Sequence, residues 1–181
     1  MVDLRHDVVM TAPIASLRIF AGALVMSPLW IGIALWFVLT DEPFSVHATW
    51  PLVVVVAAGV ASAGAILTLG YRAPAISAST PSAEAAATGL DAFRTGTTMR
   101  FALAEAPILV ALVLAFVVVE GGFLIYLVGA AIGLALMATH VWPGDGVIAR
   151  TQRSLERDGG RVPLREALYG DPAQGTTTYQ P

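Results

Sequence analysis

The chain has 181 residues, 56% hydrophobic and 13% charged, with a net charge of -3 and a mean hydropathy of +0.74. An average soluble domain is roughly 45–50% apolar and about 25% charged, so this composition excludes an ordinary soluble domain and points to the membrane. The absence of Cys excludes disulfides, Cys-ligated metals, Fe–S clusters, thiol catalysis and palmitoylation.

All ten basic residues are Arg. With the abundance of Ala, Val and Gly, this points to a GC-rich, bacterial genome. Residues 1–18 form a polar N-terminal segment carrying Asp3, Arg5 and Asp7. Its charges balance and the apolar run behind it is long, which favours a retained signal anchor over a cleaved signal peptide. The expected membrane domain covers residues 19–142, with spans at 19–39, 50–71, 101–119 and 123–142. A bilayer core about 30 Å thick needs ~20 helical residues at 1.5 Å each.

Span one contains Pro28, which is expected to kink it. An acidic connection with Asp41, Glu42 and His47 follows. Span two is bracketed by the interface aromatics Trp50 and Tyr71. Its Gly59 and Gly64, among Ala57, Ala61, Ser62 and Ala63, form a helix-packing face. The loop 72–98 has Thr80-Pro81 as an N-cap and N1 pair. Ala85, Ala86, Leu90 and Phe93 then recur at helical spacing, which predicts a short amphipathic helix on the membrane surface. A poorly ordered Ala/Ser/Thr linker is the alternative. Span three ends at the tight connection Glu120-Gly121-Gly122. Span four carries a second packing face, Gly129 and Gly133, and closes at Trp142-Pro143.

The tail, 143–181, places Val147, Ile148 and Leu155 on one helical face with Arg150, Arg153 and Arg157 around it. This predicts a basic amphipathic helix in contact with the membrane surface, where anionic inner-leaflet lipid would attract it. A second short helix is expected over 164–169, and disorder from about residue 170.

Every Arg lies in the N-terminal segment, the middle loop and its edges, or the tail, whereas the two turns hold only acids, Asp41, Glu42 and Glu120. The positive-inside rule then puts both termini in the cytoplasm and both turns outside, in a bacterial cytoplasmic (inner) membrane. Ser16-Leu-Arg18-Ile-Phe and Thr98-Met-Arg100-Phe-Ala open spans one and three alike, which suggests two like-oriented repeats.

Glu105 is the only acid within an apolar run. An ionisable residue in a span is costly and usually faces other helices. At 1.5 Å per residue it lies roughly 7–8 Å inward of Arg100, well short of mid-membrane. The readings open to it are an ion pair with Arg18 or Arg100, snorkelling to the interface, a proton- or ion-binding carboxylate, or contact with a partner. His140 titrates near neutral pH in principle, but a lone interfacial His is more often structural. His6, His47 and His140 sit on different segments and do not make one metal site. No Ser/His/Asp set, phosphate loop, GxGxxG or HExxH motif is present.

The words Phe101-Ala-Leu-Ala-Glu105-Ala resemble the carboxylate helix of rotary ATPase proteolipids (subunit c). That resemblance, confined to span three, implies a proton-carrying role for Glu105. The chain departs from that pattern in its long polar loop, its shallow acid and its basic tail. As a whole it resembles small four-span bacterial inner-membrane proteins, a family that brings no established function.

The expected fold is all-α: a transmembrane four-helix bundle of two helical hairpins with a cytoplasmic amphipathic tail. The expected role is a non-enzymatic accessory or assembly component of a larger membrane complex, with an oligomeric transport or proton-path protein using Glu105 as the alternative. The expected partners are the lipid bilayer and other membrane-protein subunits or further copies of the chain. No cofactor, metal or nucleic acid is expected.

Overall fold

A computed structural model of the chain describes residues 13–39, 42–45, 48–118 and 120–169. About three-quarters of those residues are helical, with no strand among them beyond one isolated bridge between Ser77 and Gly159. The helices are α1 (Pro13–Val38), α2 (Trp50–Thr68), α3 (Ser82–Val117), α4 (Gly122–His140), α5 (Asp145–Leu155) and α6 (Leu164–Tyr169). The first four are long and apolar enough to cross a membrane, which supports a multi-pass helical membrane protein. His6, His47 and the tail beyond residue 169 lie outside the described residues.

The sequence separates a surface helix from span three, but the structure makes them one. α3 runs 36 residues without interruption, about 54 Å at 1.5 Å per residue. Roughly 24 Å of it therefore exceeds a 30 Å hydrocarbon core. Nothing between Ser82 and Pro107 breaks a helix except Gly89 and Gly96, and both lie where a neighbour needs the room of a missing side chain. A Cβ at Gly89 would stand 2.7 Å from Val162 Cγ1. The helix starts one residue later than Thr80-Pro81 suggests, with Pro81 itself at the N-cap.

The apolar face of this stalk is not turned to lipid. Ala85 and Phe93 are buried in a small core with Ile14, Ile76, Val147, Ile148, Leu155, Val162, Leu164 and Leu168. The tail helices α5 and α6 thus spend their apolar residues on the stalk rather than on a membrane surface. Main-chain bonds stitch the segment after α2 to the tail: Ile76 N–H donates to Leu155 O (2.8 Å) and Gly160 N–H to Ile76 O (3.1 Å). Arg165 pairs with Asp145 at 2.8 Å, tying α6 to the start of α5.

Among the apolar helices, α4 is central and touches α1, α2 and α3. Its line Gly129/Gly133 is the reason α3 lies so close. A Cβ at Gly129 would overlap the Ala111 methyl and stand 2.8 Å from Pro107 O, and one at Gly133 would overlap Ile108 and stand 2.9 Å from Ala104 O. Small residues let backbones approach to this range, where packing holds helices together in lipid. On α2, Gly59 makes room for Ile132 of α4, whose Cγ2 a Cβ would meet at 2.6 Å. Gly64 is exposed with open space around it. It does not belong to the packing seam, because the buried line of α2 runs Val55, Gly59, Ser62, Ile66 and leaves Gly64 on the outer side.

α1 departs from the two-hairpin expectation, since it lies on α4 and not closely on α2. Its inward stripe is Ile14, Ala21, Pro28 and Leu35. Pro28 has no N–H for the Leu24 carbonyl, and the Ser27 hydroxyl bonds that carbonyl instead, at 2.9 Å. The Tyr126 hydroxyl of α4 donates to Pro28 O at 2.6 Å. The remainder of α1 is open, with Ile19 and Phe37 each 75% exposed, as suits lipid contact.

Candidate functional site

Arg100 is the feature the sequence conceals. The span rule places it at a membrane edge, where a long Arg ordinarily reaches water. Here it is fully buried, with 0% exposure. Two glycines open the space. A Cβ at Gly70, just past α2, would stand 2.7 Å from Arg100 Cγ, and one at Gly96, a turn back along α3, would stand 3.0 Å from Nη1. Nη1 donates to Gly70 O at 2.9 Å and Nη2 to the Thr97 hydroxyl at 3.0 Å. Thr97 in turn donates to Phe93 O at 2.8 Å. The guanidinium carbon lies 4.8 Å from the Tyr71 ring centre and 5.7 Å from that of Phe93, within cation–π range. Nε has no partner.

No acid among the described residues balances this charge. What faces it is the C-terminal end of α2, where the last carbonyls carry partial negative charge. Arg100 therefore clamps the end of α2 onto the middle of α3. Tyr71 also lies 5.5 Å from the Arg150 guanidinium of α5, and its hydroxyl is 3.0 Å from His140 Nδ1 at the end of α4. Four elements thus converge on one ring: α2, α3, α4 and α5.

Glu105 stands apart from this cluster. It is half-buried and makes no hydrogen bond or ion pair with any described residue. The expected pair with Arg100 does not form, for a geometric reason. Five residues at 100° each put the two side chains about 140° apart around α3. Arg18 is exposed on α1 and does not pair with Glu105 either. The two candidate repeats are therefore unlike at their Arg positions, one exposed and one buried.

The tail arginines have separate duties. Arg157 donates to Ala73 O at 2.8 Å, which helps hold the segment after α2. Arg150 lies against Tyr71, and Arg153 is exposed with Nε donating to Ala149 O of its own helix at 3.3 Å. Among the described residues no group of three His, Asp or Glu side chains could hold a metal ion. At the opposite end, Gly121 N–H donates to Glu42 O (3.2 Å) and Leu124 N–H to Pro43 O (3.1 Å). The rings of Trp36, Phe44 and Phe123 cluster there, 5.1–6.0 Å apart. Comparison with protein-family models, curated proteins and solved structures finds no match for this chain.

Arg100 could have been suspected from Gly96-x-x-x-Arg100, a spacing that stacks a glycine directly above an arginine on one helix face. The second glycine, Gly70, comes from another element, and no local pattern announces that meeting.

Proposed function

We propose that the chain is a non-enzymatic accessory or assembly component of a larger membrane complex. In this reading a four-helix bundle sits in a bacterial cytoplasmic (inner) membrane, both termini face the cytoplasm, and α5 and α6 form a cytoplasmic cap. The observation that carries it is the unbroken α3. A single helix belongs both to the apolar helices and to the small core around Phe93, and Arg100 locks it at the junction. That construction suits a part that presents a surface at fixed height and angle to another subunit. Arg153 and its exposed neighbours remain available for anionic lipid or an acidic partner face.

The test is gentle extraction of C-terminally tagged protein, followed by mass spectrometry and native gels of the captured complex. A reproducible larger partner is expected, together with loss of that partner's assembled form in a strain lacking this chain. Recovery of the chain alone, with every membrane complex assembling normally in the deletion strain, overturns the reading.

One observation favours a second reading. Glu105 is a half-buried carboxyl on an apolar helix without a polar partner among the described residues, as a proton- or ion-binding group in an oligomeric transporter would be. Glu105→Gln should then abolish flux in reconstituted vesicles while the protein folds normally. Unchanged flux removes this reading.

A further inference from the structure

We propose that a groove along the outer side of α3 binds one glycerophospholipid with a zwitterionic aminoalkyl-phosphate headgroup. The inference goes beyond the accessory reading and does not depend on it. The head of the groove, about 370 Å³, is bounded by Leu69 and Arg72 just past α2 and by Thr88, Asp91, Thr95 and Met99 of α3. A second hollow, about 420 Å³, shares Thr95 and Met99 and continues to Ala102. The positions 88, 91, 95, 99 and 102 follow one face of a 3.6-residue helix. The same face runs on through Leu109 and Val113, which are 48% and 63% exposed. One continuous track therefore begins polar and becomes wholly apolar.

Its depth and charge select the occupant. Arg72 is the first charged residue after the uncharged run from Trp50 to Tyr71, so the polar head lies where a bilayer has its headgroups. The Arg72 side chain has no hydrogen bond or ion pair among the described residues and suits a phosphate. Asp91 is exposed and makes only a loose 3.8 Å contact with Arg94, so it can receive an ammonium. A headgroup carrying negative charge alone would meet that carboxylate as a like charge. The Thr88 and Thr95 hydroxyls between them add donors for phosphate oxygens. The acyl chain has Met99, Ala102, Leu109 and Val113 to lie against.

The experiment is native mass spectrometry of the purified full chain, titrated with phosphatidylethanolamine or phosphatidylglycerol of matched acyl chains. Wild type should retain one phosphatidylethanolamine with a preference of about tenfold over phosphatidylglycerol. Arg72→Ala should weaken retention of both lipids, and Asp91→Asn should erase the preference while keeping binding. Met99→Trp should block the chain track, and Arg153→Ala, outside the groove, should behave as wild type. All four side chains are exposed, and circular dichroism verifies that each variant keeps its helicity. Equal retention of the two lipids by wild type overturns the proposal. So does an Arg153→Ala loss that matches Arg72→Ala. Full displacement by glycerophosphoethanolamine at the lipid's own concentration would mark a soluble-headgroup site and also overturn it.

Discussion

Replacing Arg100 by Ala tests whether this residue is a structural clamp or half of an ion pair with Glu105. The substitution removes a charge-assisted bond to Gly70 O and another to Thr97, each worth about 1.5–3 kcal/mol. Two ring contacts add about 0.5–1 kcal/mol apiece. Against this, the variant no longer holds a guanidinium out of water, a penalty of several kcal/mol that cancels much of the gain. The Gly70 carbonyl is left buried without its donor. The net loss comes to about 2–4 kcal/mol, or roughly 4–16 °C in the unfolding midpoint at 2–4 °C per kcal/mol. Glu105→Gln removes no contact and should fall within about 0.5 kcal/mol of wild type. The double variant should be additive to within about 0.5 kcal/mol. Thermal unfolding in mild detergent, followed by circular dichroism, measures all three. A coupling above about 1 kcal/mol between positions 100 and 105, or an Arg100→Ala protein as stable as wild type, refutes the clamp.

The glycines of α4 should divide sharply from Gly64 of α2. Gly133→Val forces α3 away from the Ala104 carbonyl and should cost about 1–3 kcal/mol or more by overpacking, whereas Gly64→Ala should stay within about 0.5 kcal/mol of wild type in the same unfolding assay. Tyr126→Phe removes the bond to Pro28 O, and interhelical bonds in membranes run about 0.6–1.7 kcal/mol; hydrogen exchange should show the larger response in α1. Leu155→Ala empties part of the core around Phe93 and should cost about 2–5 kcal/mol. Limited proteolysis should then cut within residues 145–169 while α3 and α4 stay intact.

The apolar helices were legible because their signal is local. A run without charge, a Trp or Tyr at the end and a Gly-Gly turn are each read from neighbouring residues. Gly129 and Gly133 were legible for the same reason, as one face of one helix. What escaped depends on residues far apart in sequence. Phe93 and Leu155 are ordinary amphipathic-helix residues until α5 folds back across the stalk, and an apolar face turned to protein has the same spacing as one turned to lipid. Gly64 has the composition of a packing residue, and only the rotation of α2 puts it outside. In the sequence Arg100 marks only a span boundary, because its burial requires Gly70, Gly96 and the Tyr71 ring together. Its pairing with Glu105 failed on angle, which counting residues along the helix could have shown.

The junction at Arg100 has a mechanical consequence. A tail joined to membrane helices by a flexible linker transmits nothing: a partner pulling on it moves only the linker. Here α5 and α6 pack on α3, which runs unbroken into the apolar helices, and bending α3 near residue 100 would separate Nη1 from Gly70 O and the guanidinium from both rings. The segment after α2 is held a second time, by Arg157 on Ala73 O and by Leu155 O on Ile76 N–H. Tilting the α5–α6 cap relative to the apolar helices therefore breaks several buried contacts at once rather than one. A partner gripping the cap would meet resistance from the whole set of membrane helices. In the accessory reading proposed above, this stiffness is what fixes the position of a larger partner, and the sensitive point is then Arg100 and Tyr71 rather than Glu105.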